Sequence, residues 1–130
     1  MILQSPMFAP ESDWSIPSVF PQFSDTETIA VDLETYDPHL MTCGPGWATG
    51  RGHIVGIGIA TDNWKGYFPI RHDGGGNLDE DVVLRWLKNT LASEKRDVIF
   101  HNALYDVGWL RREGVHVGGK ILDTIVAAPL

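Results

Sequence analysis

The alternation of hydrophobic and polar positions predicts five short β-strands. In residues 28–34, Ile29, Val31 and Leu33 alternate with small or acidic residues. A period of two is typical of a strand with one buried face. Short turns on either side of the next two segments favour an antiparallel meander for the first three strands. The later strands are predicted, in chain order, for residues 54–61, 66–70, 97–100 and 119–122.

Apolar residues three and four positions apart predict two full helices. Asn77 followed by Glu80 is a variant of the capping box, which predicts where the first helix begins. The second helix is predicted for residues 103–112, with Gly114 ending it. Strands alternating with helices after a meander indicate an α/β fold with a mixed sheet. The apolar stripe of the first helix consists of Val83, Leu84, Leu87 and Leu91.

Prolines divide the chain into an arm and a domain. Pro6, Pro10, Pro17 and Pro21 exclude a continuous helix or central strand near the N-terminus. We therefore expect an irregular arm over residues 1–27 and a folded domain over residues 28–130. A long loop rich in glycine and proline follows the first strand, and long loops in compact domains often carry function.

Acidic residues near the first strand and the second helix are the best candidates for chemistry. Asp32 and Glu34 are two positions apart, so they share one face of the strand. Adjacent carboxylates repel unless a cation such as Mg²⁺ or Mn²⁺ lies between them. The alternative is an edge strand whose acids simply face water. Asn102 and Asp106 share one face of the second helix, and a fourth strand parallel to the first would bring Asp106 close to Asp32.

Composition limits the partners of the chain. The net charge is −7, which argues against a protein that grips a nucleic-acid backbone tightly by itself, although a metal-dependent nuclease site remains compatible. Cys43 is the only cysteine, so an internal disulfide and a cysteine-based zinc site are excluded. Neither a signal peptide nor a membrane-spanning segment is visible. We expect a cytoplasmic protein, in a bacterial host if it is encoded by a phage.

Three motifs carry a resemblance to a known family. Residues 30–35 read Ala-Val-Asp-Leu-Glu-Thr, residues 101–110 read His-Asn-Ala-Leu-Tyr-Asp-Val-Gly-Trp-Leu, and residues 121–124 read Ile-Leu-Asp-Thr. In this order they resemble the 3′–5′ proofreading exonuclease domain of family A DNA polymerases, especially the phage members of the DEDD (DnaQ-like) superfamily. The resemblance covers residues 28–130. It implies a ribonuclease H-like mixed five-stranded sheet in the order 3-2-1-4-5, flanked by helices.

The resemblance also implies roles for individual residues. Asp32, Glu34 and Asp106 match the catalytic carboxylates that hold two divalent cations, Mg²⁺ or Mn²⁺, with Asp32 bridging both. The implied substrate is the 3′ end of single-stranded DNA, and the implied partner is a polymerase domain. The residues that match substrate contacts are Leu33, Thr35 and Asn102.

One family motif is absent from these 130 residues. It supplies a fourth carboxylate and a Tyr or His that orients the attacking water. Asp123 matches a different family position, and capping of a final helix explains it well. We therefore expect a C-terminally truncated domain without the last helices of the family, and weak or absent exonuclease activity. The alternatives are an interaction module that kept the fold, and an RNA exonuclease of the ribonuclease D type.

The same expectation of a shortened domain predicts association. Helices that would cover the sheet are expected to be missing, and uncovered apolar patches favour contact with other chains. We therefore predict either a homodimer or a missing C-terminal partner segment. The apolar residues expected to be uncovered are Ile121, Ile125 and Val126.

Overall fold

The computed structural model describes the backbone of residues 14–127 and the side chains of residues 14–125. Pro6, Pro10 and the side chain of Val126, which entered the expectations above, lie outside that part. The described residues form five strands and five helices. In chain order these are β1 (Ile29–Tyr36), α1 (Leu40–Cys43), α2 (Gly46–Thr49), β2 (His53–Ala60), β3 (Lys65–Pro69), α3 (Glu80–Leu91), β4 (Val98–Phe100), α4 (Ala103–Arg112), β5 (Ile121–Asp123) and α5 (Thr124–Ala127).

The five strands form one mixed sheet in the order β3-β2-β1-β4-β5. The β1–β2 and β2–β3 pairs are antiparallel, as expected of a meander. The β1–β4 and β4–β5 pairs are parallel, and α4 lies between the last two strands in sequence. The predicted sheet order is confirmed. Its consequence for the site is that β4, and the start of α4 after it, lie beside β1.

The core lies where the apolar face of the sheet meets the stripe of α3 and the inner face of α4. Ile29 and Val31 of β1 are buried, as are Leu87 of α3 and Leu110 of α4. Burying such side chains contributes about 1.5–3 kcal/mol each to folding. Because the odd positions of β1 are held in this core, the even positions that carry Asp32 and Glu34 face outward.

The start of α3 differs from the prediction. Asp79, not Asn77, is the N-cap, and its Oδ1 accepts hydrogen bonds from the backbone N–H groups of Asp81 and Val82. The Asn77 side chain instead bonds the backbone of His72. The capping-box prediction at Asn77 is therefore wrong, because a preceding loop takes the asparagine and the next acid caps the helix equally well.

The loop after β1 and the segment before it both pack on the domain. The loop contains the single-turn helices α1 and α2, and the ring of Trp47 in α2 lies against Gly108 of α4. Before β1, residues 14–28 form neither helix nor strand. Within that segment the ring of Phe20 stacks on Phe68, and the Trp86 indole N–H donates a hydrogen bond to the carbonyl of Pro21.

Candidate active site

Asp32 and Glu34 lie on the exposed face of β1. Their partners across the β1–β2 ladder are glycines, Gly58 opposite Asp32 and Gly56 opposite Glu34. Glycine has no side chain, so rings from elsewhere in the fold lie over these two positions: the Tyr67 ring over Gly56 and the Trp14 ring near Gly58. The register shifts immediately after Glu34, which marks a β-bulge, a feature that often lies next to active sites and re-aims side chains.

Asp106 lies in the first turn of α4 and is buried, with 5% of its surface exposed. Burial first, and then the negative charges of Asp32 and Asp123, together raise the pKa of Asp106 to about 7, against a backbone hydrogen bond from Leu33 that lowers it. Within the described part of the chain, its Oδ2 has no hydrogen-bond partner. A buried carboxylate oxygen that lacks a partner and lies near the negative charge of Asp32 is energetically unfavourable. A bound cation would stabilise it.

Asp123 has a structural role at the same edge of the sheet. Its Oδ2 accepts a hydrogen bond of 2.8 Å from the Ala103 N–H, and its Oδ1 accepts bonds of 3.0 Å from the N–H groups of Asn102 and Ile125. These bonds, that from Ala103 most of all, lower the pKa of Asp123. The predicted capping role is confirmed, and the same carboxylate also fixes the start of α4.

The three residues predicted to touch substrate occupy different environments. Asn102 is exposed at the start of α4 in the left-handed conformation, with φ of 68°. The Thr35 hydroxyl lies 3.1 Å from the Tyr105 hydroxyl, which donates to Asp37 at 2.7 Å. Leu33 lies on the core face of β1 with 8% of its surface exposed, so its side chain packs inward and a substrate contact there stays a prediction.

Sequence reasoning missed two residues beside Glu34. The Tyr67 hydroxyl donates to Glu34 Oε2 at 3.2 Å and lies 2.6 Å from His72 Nε2. Burial raises the pKa of Tyr67, and the charge of Glu34 raises it further, so the phenol keeps its proton at neutral pH. Nothing in the sequence distinguishes Tyr67 from other strand aromatics, because its contact with Glu34 depends on the strand register.

The three acids of the site are of the type that hard cations bind, but their side chains are not close together. Carboxylate oxygens are the preferred ligands of Mg²⁺ and Mn²⁺. Within residues 14–125, no three His, Cys, Asp or Glu side chains are close enough together to hold a metal ion. Asp32 has an exposed side chain, the exposed Glu34 carboxylate accepts a hydrogen bond from Tyr67, and Asp106 has the unpartnered buried oxygen. These donors therefore fit a cation in chemical type and in their position relative to the sheet, and binding would require them to move closer together.

Relatives of this chain come from phage and bacteria. The DNA-directed DNA polymerase of Pseudomonas phage M6 is 38% identical over 120 residues, which are 87% of this chain. DNA polymerase I of Synechocystis is 29% identical over 112 residues, or 84% of this chain. This chain is homologous to part of a DNA polymerase. It spans 18% of the phage protein's length and 10% of the cyanobacterial protein's length.

The fold of this polymerase homologue is ribonuclease H-like, as the resemblance implied. Brucella melitensis NrnC bound to pGG has a TM-score of 0.51 and 18% identity, covering 83% of this chain and 47% of that chain. A second NrnC structure has a TM-score of 0.50 over 78% of this chain and 43% of that chain.

No protein-family model matches the chain. Among the described residues, no helix is long and apolar enough to cross a membrane.

Proposed function

We propose that this chain is a 3′–5′ exonuclease domain of a DNA polymerase. In this proposal it hydrolyses the last phosphodiester at the 3′ end of single-stranded DNA, with two divalent cations, Mg²⁺ or Mn²⁺. The observation that carries the proposal is the buried carboxylate of Asp106, whose Oδ2 has no hydrogen-bond partner and whose pKa is raised by the nearby charge of Asp32. The homology to DNA polymerases supports the assignment to proofreading.

Each acid has a distinct position in the proposed site. Asp32 shares a strand face with Glu34 and acts electrostatically on Asp106, so its carboxylate would be a ligand common to the other two acids. Glu34 would add a ligand from β1, and Asp106 would add one from α4. When bound, such a pair supplies a water of lowered pKa and neutralises charge on the leaving 3′ oxygen.

The proposed DNA end lies between β1 and the start of α4. Asn102 is exposed there, and Thr35 is held by the Tyr105 hydroxyl at the end of β1. Both groups offer hydrogen bonds to a terminal nucleotide, while the neighbouring carboxylates repel phosphates in the absence of cations. DNA binding to this edge is therefore expected to require the divalent ion, in agreement with the net charge of −7.

We propose only weak hydrolysis by these 130 residues alone. The described site holds three carboxylates, and no residue in it matches the water-orienting Tyr or His of the third family motif. Each positioning or acid–base contribution is worth about 10²–10⁴-fold in rate. A polymerase domain or a C-terminal segment is the proposed partner. Self-association also stays a prediction, with Ile121 and Ile125 exposed by 38% and 48%.

The experiment that tests the proposal is single-turnover release of nucleotides with protein in excess and Mn²⁺ present. Substrates are single-stranded DNA labelled at the 3′ end, the same DNA labelled at the 5′ end, and an RNA of the same sequence. We expect slow release from the 3′ end of DNA, and a loss of at least about 10²-fold in Asp32→Ala.

The outcomes separate the alternatives. Preference for RNA would favour the ribonuclease D type over proofreading. Release from the 5′ end, or release undiminished in Asp32→Ala, would contradict the proposal. No release, together with Mn²⁺ binding that does not depend on Asp32, would favour an interaction module.

A further inference from the structure

Glu34 is exposed, yet its carboxylate is held in place. The Tyr67 hydroxyl donates to Glu34 Oε2 at 3.2 Å and makes a second, shorter contact of 2.6 Å with His72 Nε2. A phenol carries one hydrogen, and a carboxylate can only accept. If Tyr67 donates to Glu34, His72 must donate from Nε2 to Tyr67. The three side chains thus form a directed chain of hydrogen bonds that ends on Glu34.

Gly56 makes this contact possible. Tyr67 pairs with Gly58 across the β2–β3 ladder, and Glu34 pairs with Gly56 across the β1–β2 ladder. To reach Glu34, the Tyr67 ring crosses the strand between them over Gly56. A β-carbon at Gly56 would overlap the hydroxyl and the ring of Tyr67. The glycine on this face therefore serves a specific neighbour, and the register of three strands sets the contact.

His72, which begins this series of hydrogen bonds, is itself held in place by Asn77. Its backbone N–H donates to Asn77 Oδ1 at 2.7 Å, and the Asn77 amide donates back to the His72 carbonyl at 2.8 Å. The rings of His72 and Tyr67 meet edge-to-face with centroids 5.7 Å apart. The loop after β3 is thus tied down at the residue that supports Tyr67, which explains why Asn77 is not used as a helix cap.

We propose that Tyr67 is a positioning residue that orients the Glu34 carboxylate for cation binding, with His72 supporting it from behind. The inference rests on the proposed function, because it assumes that Glu34 is a ligand. Ordering a free glutamate side chain costs conformational entropy, and a hydrogen-bonded partner removes part of that cost before the ion arrives. Outer partners of metal ligands commonly act in this way.

The test is Mn²⁺ affinity, measured by electron paramagnetic resonance on the whole chain. We expect Tyr67→Phe to bind Mn²⁺ about 10–100-fold more weakly than wild type, the usual effect of losing an outer-shell partner. Tyr36→Phe is the matched control, since Tyr36 loses the same hydroxyl but is exposed and stacks on His53. Thermal melts accompany each variant, and we expect the affinity to fall without a matching loss of stability.

A second pair of variants keeps the test sharp if Tyr67→Phe is poorly folded. His72→Ala removes the donor to Tyr67, while His72→Gln keeps an amide donor near the position of Nε2. We expect weaker Mn²⁺ binding in His72→Ala and recovery of most of the affinity in His72→Gln. A residue with a purely structural role would show no such recovery of affinity by a retained donor.

The outcomes distinguish the role of Tyr67 from the proposed function. If Asp32→Asn loses Mn²⁺ binding while Tyr67→Phe and His72→Ala bind as wild type does, the role of Tyr67 is overturned and the proposed function stands. If wild type shows no Mn²⁺ binding that depends on Asp32, the proposed function fails, and the role of Tyr67 fails with it. Weaker binding in Tyr67→Phe but not in Tyr36→Phe supports the inference.

Discussion

Asp106→Asn is expected to stabilise the metal-free protein at neutral pH. Burial and neighbouring charges raise the pKa of Asp106 from 3.8 to about 7. At neutral pH and above, ionising this carboxyl group therefore costs more free energy in the folded state than in the unfolded state. A difference of this size corresponds to about 4 kcal/mol, of which asparagine should recover about 2–4 kcal/mol because its amide also needs partners. The measurement is thermal or urea unfolding in EDTA at pH 8.

The pH dependence of stability follows from the same raised pKa. Between about pH 4 and about pH 7 the unfolded aspartate has lost its proton and the folded Asp106 keeps it, so the free energy of unfolding falls as the pH rises through this window and then levels off. Asp106→Asn should lack this contribution. Asp62→Asn, an exposed acid in the turn between β2 and β3, is the control and should retain it.

Added Mn²⁺ should reverse the ranking. A ligand that binds only the folded state raises the free energy of unfolding, and at concentrations above its Kd the gain grows with the logarithm of the ligand concentration relative to Kd. In wild type, Asp106 ionises and binds the cation, so the folded protein should gain stability. Asp106→Asn should gain much less, because its amide cannot ionise. If Asp106→Asn is destabilising in EDTA, the carboxylate makes a favourable native interaction and the strained-acid account is wrong.

Trp109→Ala is expected to cause the largest loss of stability. The indole is 1% exposed on α4, packs edge-to-face with Tyr105 and lies under the Arg112 guanidinium, 5.5 Å from the ring. Room for the ring exists because Gly46 and Gly52 have no side chains. Truncating a buried Trp costs about 3–5 kcal/mol, a large share of the roughly 5–15 kcal/mol available to a small domain.

The effect of Trp109→Ala is measured by chemical unfolding. Trp109→Phe is the matched variant, because it keeps an aromatic ring in the same space and should lose much less. Since Trp109 holds α4 against the loop that contains α1 and α2, loosening it should also weaken Mn²⁺ binding by Asp106 three residues earlier. A Trp109→Ala variant that unfolds like wild type would contradict this account of how α4 is held.

The sequence carried the parts of the site that depend on local periodicity. Alternation placed Asp32 and Glu34 on one strand face, and helical spacing gave α4 its exact bounds, Ala103–Arg112. The position of β4 beside β1, which brings Asp106 close to the charge of Asp32, was implied by the resemblance to a known family. The shared strand face and the helix follow from periods of two and of 3.6, which a single sequence contains.

Two features could not be predicted from the sequence. One depends on competition between two possible helix caps, and the other depends on the register of the strands. Asn77 and Asp79 are both good caps, and only the fold shows that His72 takes the first. The reach of Tyr67 to Glu34 requires the alignment of three strands and the empty position at Gly56. Neither choice has a signature in local sequence, because both are decided by residues distant along the chain.

The most direct test of the central claim is a Mn²⁺ titration of the intact protein, with Asp32→Asn beside it. We expect wild type to bind Mn²⁺ through the carboxylates of Asp32, Glu34 and Asp106, with the first ion bound at least about 10-fold more weakly when Asp32 is neutral. Mn²⁺ binding that is equal in wild type and Asp32→Asn, or absent from both, would contradict a metal-dependent exonuclease site in this chain.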